Sequence, residues 1–196
     1  RQGRFFTMKK ADLRKIFKEK RNELTEGQVS AMDLLTFEEL TSYDWSNITY
    51  LDCYLAISKF KEFDTMPFIE WIWKNHPSIQ IVISKSDFKT HLLQHYILDK
   101  DTILSHNSWG IPEPEGSIEV NPKDIDAVLA PLLIFDVNGN RVGYGKGFYD
   151  RFFASCKPTV LRTGISYFEP IAQIDDINEW DVPISVVFTP MKTYFF

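Results

Sequence analysis

Residues 126–153 read DAVLAPLLIFDVNGNRVGYGKGFYDRFF. The first part, residues 127–135, is a nearly continuous apolar run, which is typical of a strand covered on both faces. The middle part, residues 139–147, is rich in glycine, and residues 148–155 are predicted to form a short helix. Ligands of parallel α/β folds sit beyond the carboxyl ends of strands. This strand–loop–helix unit therefore predicts both a fold class and the place of a ligand.

The segments on either side of this unit alternate in the same way. Apolar spacing predicts helices at residues 9–24 and at residues 65–75, and a further helix is predicted at residues 26–40 with Thr25 as the N-cap. Runs rich in β-branched and aromatic residues predict strands at residues 48–57, 79–84, 159–165 and 184–188, while the pattern at residues 88–103 is ambiguous. We expect one three-layer α/β/α domain with a mainly parallel sheet at residues 8–196, with residues 1–7 as a possible extension.

Composition narrows the class of protein. The 196 residues carry a net charge of −5, which argues against a general nucleic-acid binder. No apolar run approaches the roughly 18 residues of a membrane span. Cys53 and Cys156 form no metal or redox motif and indicate a reducing compartment, so we expect a cytoplasmic protein.

The glycine-rich loop has features that suit a phosphate ligand. Residues 143–147, GYGKG, have glycine at every second position, so the backbone can approach a ligand closely and its N–H groups can cradle phosphate oxygens. Arg141, Lys146 and Arg151 supply positive charge, and Asp150 could hold a magnesium ion. The loop matches neither the Walker A nor the dinucleotide pattern, so a plain flexible connection between strand and helix is the alternative at this point.

A second source of positive charge is the first predicted helix. At about 100° per residue, Lys10, Arg14 and Arg21 fall in one wedge beside the apolar face. These cations either contribute to an anion site or form a solvated basic edge.

The motif in residues 126–153 resembles the signature of the 5-formyltetrahydrofolate cyclo-ligase family, also called methenyltetrahydrofolate synthetases. That signature is an apolar strand, Pro, Phe-Asp and then Gly-x-Arg-Leu-Gly-x-Gly-x-Gly-Tyr-Tyr-Asp, with Val142 and Phe148 as mild substitutions here. Other motifs follow in family order: Lys10-x-x-Leu13-Arg14 with Arg21, Glu62-Phe63-Asp64-Thr65, residues 109–114 (WGIPEP), residues 180–183 (WDVP) and Thr189-Pro190. Departures occur at residues 169–170 and 176–177, and residues 79–105 show little likeness.

The resemblance implies a fold similar to that of CoA transferases and ribose-phosphate isomerases. It also implies an ATP-dependent enzyme that converts 5-formyltetrahydrofolate to 5,10-methenyltetrahydrofolate. We expect ATP as co-substrate, Mg²⁺ as cofactor and a reduced folate as substrate. We expect neither nucleic acid nor a membrane as partner, and a monomer or weak dimer.

The site residues carry over by position. The ATP contacts are expected at Lys10, Arg14, Arg141, Gly143, Tyr144, Gly145, Lys146, Gly147, Phe148 and Tyr149. The substrate contacts are expected at Ile57, Glu62, Trp109, Tyr144, Gly145, Lys146, Gly147 and Phe148. Asp150 and Asp181 are the expected metal ligands, and Arg141, Tyr144 and Lys146 the expected catalytic residues. Taken singly, Asp181 and Glu62 also fit ordinary surface carboxylates, and Trp109 also fits a core or turn tryptophan.

Three rival hypotheses remain at this level. The first is a non-catalytic folate or nucleotide binder, and the second is another enzyme on a similar scaffold that uses an acid/base pair and no ATP. The third is a general interaction module, against which the long glycine motif argues.

Overall fold

The computed structural model describes residues 8–108 and 110–196. The possible extension at residues 1–7 and the predicted substrate contact Trp109 lie outside the described residues.

The helices of the described chain lie where the sequence predicts them. They are α1 (Lys10–Glu23), α2 (Glu26–Ser42), α3 (Met66–Asn75) and α4 (Phe148–Ser155). Thr25 caps α2 through a reciprocal capping box with Gln28, which satisfies two backbone N–H groups. The predicted helices and this N-cap are confirmed. No helix in the described part of the chain is long and apolar enough to span a membrane.

The central sheet of the described chain has seven strands and is mainly parallel. Its strands are β1 (Tyr50–Cys53), β2 (Gln80–Asp87), β3 (Leu92–Leu98), β6 (Ala127–Pro131), β9 (Leu161–Ile165), β10 (Val186–Phe188) and β11 (Thr193–Phe195), in the spatial order β11-β10-β9-β6-β1-β2-β3. The two edge strands, β3 and β11, are antiparallel to their neighbours. Two small hairpins accompany the sheet, formed by β4 (Ile103–His106) with β5 (Pro112–Glu115) and by β7 (Ile134–Phe135) with β8 (Arg141–Val142). The predicted α/β class is confirmed.

Alternating side chains of the strands pack into a hydrophobic core on each face of the sheet. Ile81 and Leu129 pack with residues of α2 and α3, whereas Val82 and Val128 pack with Phe152 of α4. Because successive strand side chains point to opposite faces, the nearly continuous apolar strands are explained by helices on both sides.

The strand predicted at residues 127–135 is wrong in its extent. The chain leaves the sheet after Pro131, and β7 then forms a separate hairpin with β8. Leu132 and Leu133 are almost fully buried in two different clusters. The run is therefore continuously apolar although it turns, because burial alone does not distinguish a strand from a buried bend.

The ambiguous segment at residues 88–103 contains β3, a strand at the sheet edge. Its burial alternates incompletely because part of the strand faces solvent. An edge strand of this kind lacks the apolar run by which the central strands are recognised.

Helix α1 packs on the small β7–β8 hairpin. Leu13 and Phe17 are buried against Leu133, Ile134 and Val142. This contact brings the basic residues of α1 to the hairpin that leads into the glycine-rich loop.

Candidate active site

The glycine-rich loop lies between β8 and α4, beyond the carboxyl end of β6. Gly145 and Gly147 have φ values of +88° and +71°, a conformation that L side chains rarely adopt. Gly147 is also the N-cap residue of α4, so the loop passes directly into a helix N-terminus, where backbone N–H groups favour an anion.

One open cleft of about 320 Å³ collects the nucleotide and metal residues predicted from the sequence. It is lined by Lys10, Arg14, Pro131, Arg141, Val142, Gly143, Tyr144, Gly145, Lys146, Gly147, Phe148, Tyr149, Asp150 and Asp181. Two distant segments of chain, α1 and the region around Asp181, thus meet at the loop. Lys146 lies exposed in the cleft wall, where its charge can reach a ligand.

Arg14 lies directly over Gly145 in the loop. Its Nε donates a hydrogen bond of 2.9 Å to the carbonyl oxygen of Gly143. A Cβ atom at Gly145 would lie 2.9 Å from the Cζ atom of Arg14. The guanidinium of Arg14 therefore occupies the space above the loop that a larger residue would take.

Two ion pairs frame the opposite wall of the cleft. Lys10 pairs with Asp181, and Nη2 of Arg141 lies 3.0 Å from Oδ1 of Asp150. The same oxygen accepts a hydrogen bond of 3.1 Å from the backbone N–H of Val182. Burial lowers the pKa of the Arg141 guanidinium, while the negative charge of Asp150 acts in the opposite direction.

The donor set suits magnesium that arrives with a nucleotide. Asp150 and Asp181 line the same cleft, and both are partly exposed, at 28% and 20% of the side chain. No cluster of three or more His, Cys, Asp or Glu side chains that could hold a metal occurs at residues 8–108 or 110–196. Mg²⁺ is commonly held by one or two carboxylates together with substrate phosphates, so two carboxylates fit this mode and not a cage made of protein alone.

A second, buried group of residues lies behind the glycine-rich loop. The hydroxyl of Tyr144 donates to Oε1 of Glu62 at 2.6 Å, and the backbone N–H of Ile57 donates to Oε2 at 2.7 Å. Nη1 of Arg21 donates to the Tyr144 oxygen at 3.0 Å. Burial raises the pKa of Glu62, whereas the hydrogen bonds from Tyr144 and Ile57 and the charge of Arg21 lower it. The predicted substrate residues Ile57, Glu62 and Tyr144 are thus in direct contact.

Arg21 is the residue of this group for which no site role was predicted. The helical wheel showed that Arg21 points in the same direction as Lys10 and Arg14, but it did not show how deeply the side chain is buried. Arg14 reaches the open cleft, whereas Arg21 is 5% exposed and lies two turns further along α1. The basic residues of α1 therefore do not form one solvated edge.

The aromatic residues that follow the loop make different contacts. Phe148 packs edge-to-face against Phe88 and His91 from the turn between β2 and β3. Tyr149 lines the cleft, and burial raises the pKa of its hydroxyl well above the usual value. Residues 88–91, for which the sequence predicted no role, therefore border the predicted ligand residue Phe148.

Comparisons with known proteins agree with the motif. The model of the 5-formyltetrahydrofolate cyclo-ligase family matches residues 6–190. The 5-formyltetrahydrofolate cyclo-ligase of Haemophilus influenzae is 30% identical over 128 residues, which cover 63% of this chain and 67% of that protein. The Escherichia coli K12 protein of the same name is 28% identical over 137 residues, which cover 68% and 74%.

A solved structure extends the likeness to the fold. The NMR structure of Aquifex aeolicus 5,10-methenyltetrahydrofolate synthetase superposes with a TM-score of 0.80 at 26% identity, covering 95% of this chain and 92% of that one. The family-model match, residues 6–190, spans the glycine-rich loop, α1 and the segment around Asp181 together, so it includes every element of the cleft.

Proposed function

Because the chain belongs to the 5-formyltetrahydrofolate cyclo-ligase family, we propose that it converts 5-formyltetrahydrofolate to 5,10-methenyltetrahydrofolate while ATP becomes ADP and phosphate. The observation that carries this proposal is the single cleft in which the glycine-rich loop, the cations of α1 and two carboxylates face one another. A nucleotide with its metal ion requires this combination of groups.

The reaction requires the protein to align the two substrates and to supply positive charge at the transferred phosphoryl group. The oxygen of the formyl group on N5 is a poor leaving group and must first be activated. It attacks the γ-phosphorus of ATP, ADP departs, and the oxygen becomes part of a phosphate ester. N10 then bonds to the formyl carbon, the C–O bond breaks, phosphate leaves with its electrons, and the N10 proton passes to water. Neither step needs a protein nucleophile, and the main tasks are to hold the two substrates in line and to stabilise negative charge on the transferred phosphoryl group.

The nucleotide side supplies that stabilisation. Lys146 lies exposed in the cleft and Arg14 lies against the loop, so both cations can face phosphate oxygens. The N–H groups at the start of α4 add partial positive charge at the same place. Lys146, Arg141 and Tyr144 are the proposed catalytic residues.

Asp150 and Asp181 are the proposed magnesium ligands. When bound, the ion supplies charge neutralisation at the phosphates. Lys10 and Arg141 already pair with these carboxylates, so they hold both side chains at the cleft.

The folate side is proposed at Glu62, Ile57 and Tyr144. An ionised carboxylate only accepts hydrogen bonds, and the reduced pterin ring offers N–H donors. Trp109 stays a proposed ring-stacking residue that lies outside the described residues.

The test is turnover by the purified protein. Protein, 5-formyltetrahydrofolate, ATP and Mg²⁺ are mixed, and the near-ultraviolet absorbance of the methenyl product is followed. We expect product only when ATP and Mg²⁺ are both present, with one ADP per methenyl group. Product formed without ATP would favour another enzyme on a similar scaffold, and binding without turnover would favour a non-catalytic binder.

A further inference from the structure

Arg21 is a buried cation in the last turn of α1. Its side chain donates to the backbone oxygen of Leu132 at 2.7 Å and to the hydroxyl oxygen of Tyr144 at 3.0 Å. Within residues 8–108 and 110–196, Arg21 makes no salt bridge with a carboxylate. Burial of a charge is unfavourable unless nearby groups compensate it. The oxygens of Leu132 and Tyr144, which accept hydrogen bonds from Arg21, supply part of that compensation.

The chemistry of arginine fixes the direction of the hydroxyl proton. A guanidinium has donors and no acceptor, so the Tyr144 oxygen must accept the hydrogen bond from Arg21. The hydroxyl proton of Tyr144 must therefore point away from Arg21. In that direction the Tyr144 oxygen lies 2.6 Å from Oε1 of Glu62, which accepts the proton in a hydrogen bond. Arg21 thereby orders a chain of donors that ends on a carboxylate.

Arg21 is also the charged member of the surroundings of Glu62. The hydroxyls coupled to Glu62 come from the segment after β1, the glycine-rich loop, α4 and the segment after β9, namely Tyr54, Tyr144, Tyr149 and Tyr167. Burial raises the pKa of each of these four hydroxyls, so they are uncharged at neutral pH. The positive charge that acts on Glu62 therefore comes from α1.

Arg21 is too enclosed to reach the substrate ring itself. Between Arg21, Glu62, Tyr54 and Tyr167 lies a cavity of about 10 Å³, which is about the space of one water molecule. A pterin ring does not reach Arg21 through this cavity. The influence of Arg21 on the substrate therefore passes through Tyr144, which also lines the open cleft, and through Glu62, to which Tyr144 is bonded.

We propose that Arg21 is a positioning residue for folate binding: it orients the Tyr144 hydroxyl and holds Glu62 as an ionised acceptor for the N–H groups of the pterin ring. The inference rests on the proposed function, because it takes Glu62 as the pterin-binding carboxylate. Nucleotide binding belongs to Arg14 and Lys10 on the same helix, so α1 divides its cations between the two substrates.

The experiment compares Arg21→Met and Arg21→Lys with the unsubstituted protein. Binding of 5-formyltetrahydrofolate is measured by calorimetry between pH 5.5 and 8.5, and KM values are measured for folate and for ATP. For Arg21→Met we expect folate binding weakened about tenfold or more and the KM for ATP changed less than about threefold, since bonds to charged groups contribute about 1.5–3 kcal/mol. Arg21→Lys keeps the charge and should recover a large part of the affinity.

The pH dependence adds a signature that a purely structural role would not produce. Without the nearby cation, the pKa of Glu62 rises further, so the acidic limit of folate binding should move to higher pH in Arg21→Met and stay near its original place in Arg21→Lys. Tyr144→Phe removes the intermediate hydroxyl, and the double variant Arg21→Met/Tyr144→Phe should lose less than the sum of the two single losses.

The outcomes separate the two proposals. Full folate affinity in Arg21→Met, or an equal rise of both KM values, would overturn the role of Arg21 and leave the proposed function intact. If the unsubstituted protein neither binds nor converts 5-formyltetrahydrofolate, both fail. If Arg21→Met does not fold, Arg21→Lys and Tyr144→Phe still decide, because unchanged folate affinity and pH limits in both would contradict the proposal.

Discussion

The two halves of the candidate site differ in how their charges are arranged. On the nucleotide side, Lys146 is exposed and the Lys10–Asp181 pair is partly exposed, at 15% and 20% of the side chains. On the folate side, Arg21 and Glu62 are only 5% and 7% exposed and are joined through a tyrosine hydroxyl. Screening by water weakens the interactions of exposed charges, whereas buried charges interact strongly with fixed partners.

This difference indicates separate tasks. In the proposed function, the cations of the open side face a ligand that carries several negative charges and its own metal ion. The closed side has hydrogen bonds in place before any ligand arrives, so it presents an acceptor of fixed position and charge. We therefore expect substitutions of charged side chains on the open side to change catalysis and ATP binding with little effect on stability, and substitutions on the closed side to change stability and its pH dependence as well.

Lys146→Ala should produce the largest effect. The exposed side chain supports no packing, so its loss should lower kcat by about 100-fold or more through lost stabilisation of the phosphoryl group, with an unchanged melting temperature. Lys15→Ala is the matched control, because Lys15 is exposed on α1 and lies outside the residues that line the cleft. Turnover of Lys146→Ala within a factor of two of the unsubstituted protein would contradict a catalytic role.

Gly145→Ala should produce an intermediate effect on the same side. The new Cβ would collide with the Arg14 guanidinium, and the φ of +88° is strained for alanine. We expect the KM for ATP to rise about tenfold, and the strain to lower the free energy of unfolding by about 1–3 kcal/mol.

Gly27→Ala provides the control for that substitution. Gly27 lies in α2, and a Cβ there would meet nothing within 4 Å. Alanine is favoured over glycine in a helix, so this variant should be as stable as the parent or more stable, with ordinary kinetics. Equal damage from both glycine substitutions would refute the contact with Arg14 as the cause.

Glu62→Gln should have the smallest effect on stability, visible as a change in its pH dependence. The pKa of Glu62 is raised above its ordinary value of 4.5 in the folded protein, so the folded state binds its proton more tightly than the unfolded state does. This contribution to the free energy of unfolding is present at low pH and falls as pH rises from about 4.5 through the folded-state pKa, by at most about 1.4 kcal/mol per pH unit.

Glutamine does not titrate, so the variant lacks this fall. Urea unfolding at pH 4.5 and pH 7.5 measures the difference between the two proteins, and groups common to both, such as Asp33, cancel. We expect that difference to shift in favour of Glu62→Gln at the higher pH. Parallel stability curves for the two proteins would show that burial of Glu62 carries no such cost.

Local patterns predicted much of this architecture. The helices α1 and α3 followed from apolar spacing, the start of α2 followed from the N-cap Thr25, and α4 was predicted as the helix after the glycine-rich loop. The break after Pro131 was missed because Leu132 and Leu133 are as buried as the strand before them. The β3 edge strand was ambiguous because most of its residues are exposed or only partly buried, so the clear alternation on which strand prediction depends is missing.

The sequence by itself determined the glycine spacing of the loop, the helix that follows it and the family motif, because backbone flexibility and apolar periodicity are properties of neighbouring residues. Only the tertiary structure decided that Arg14 lies over Gly145 in the open cleft while Arg21, on the same wedge of the same helix, is buried against Tyr144. A helical wheel gives the direction of a side chain and not its depth. Depth depends on what packs against the helix, and at Arg21 that is Leu132 and Tyr144, which lie more than a hundred positions away in the sequence.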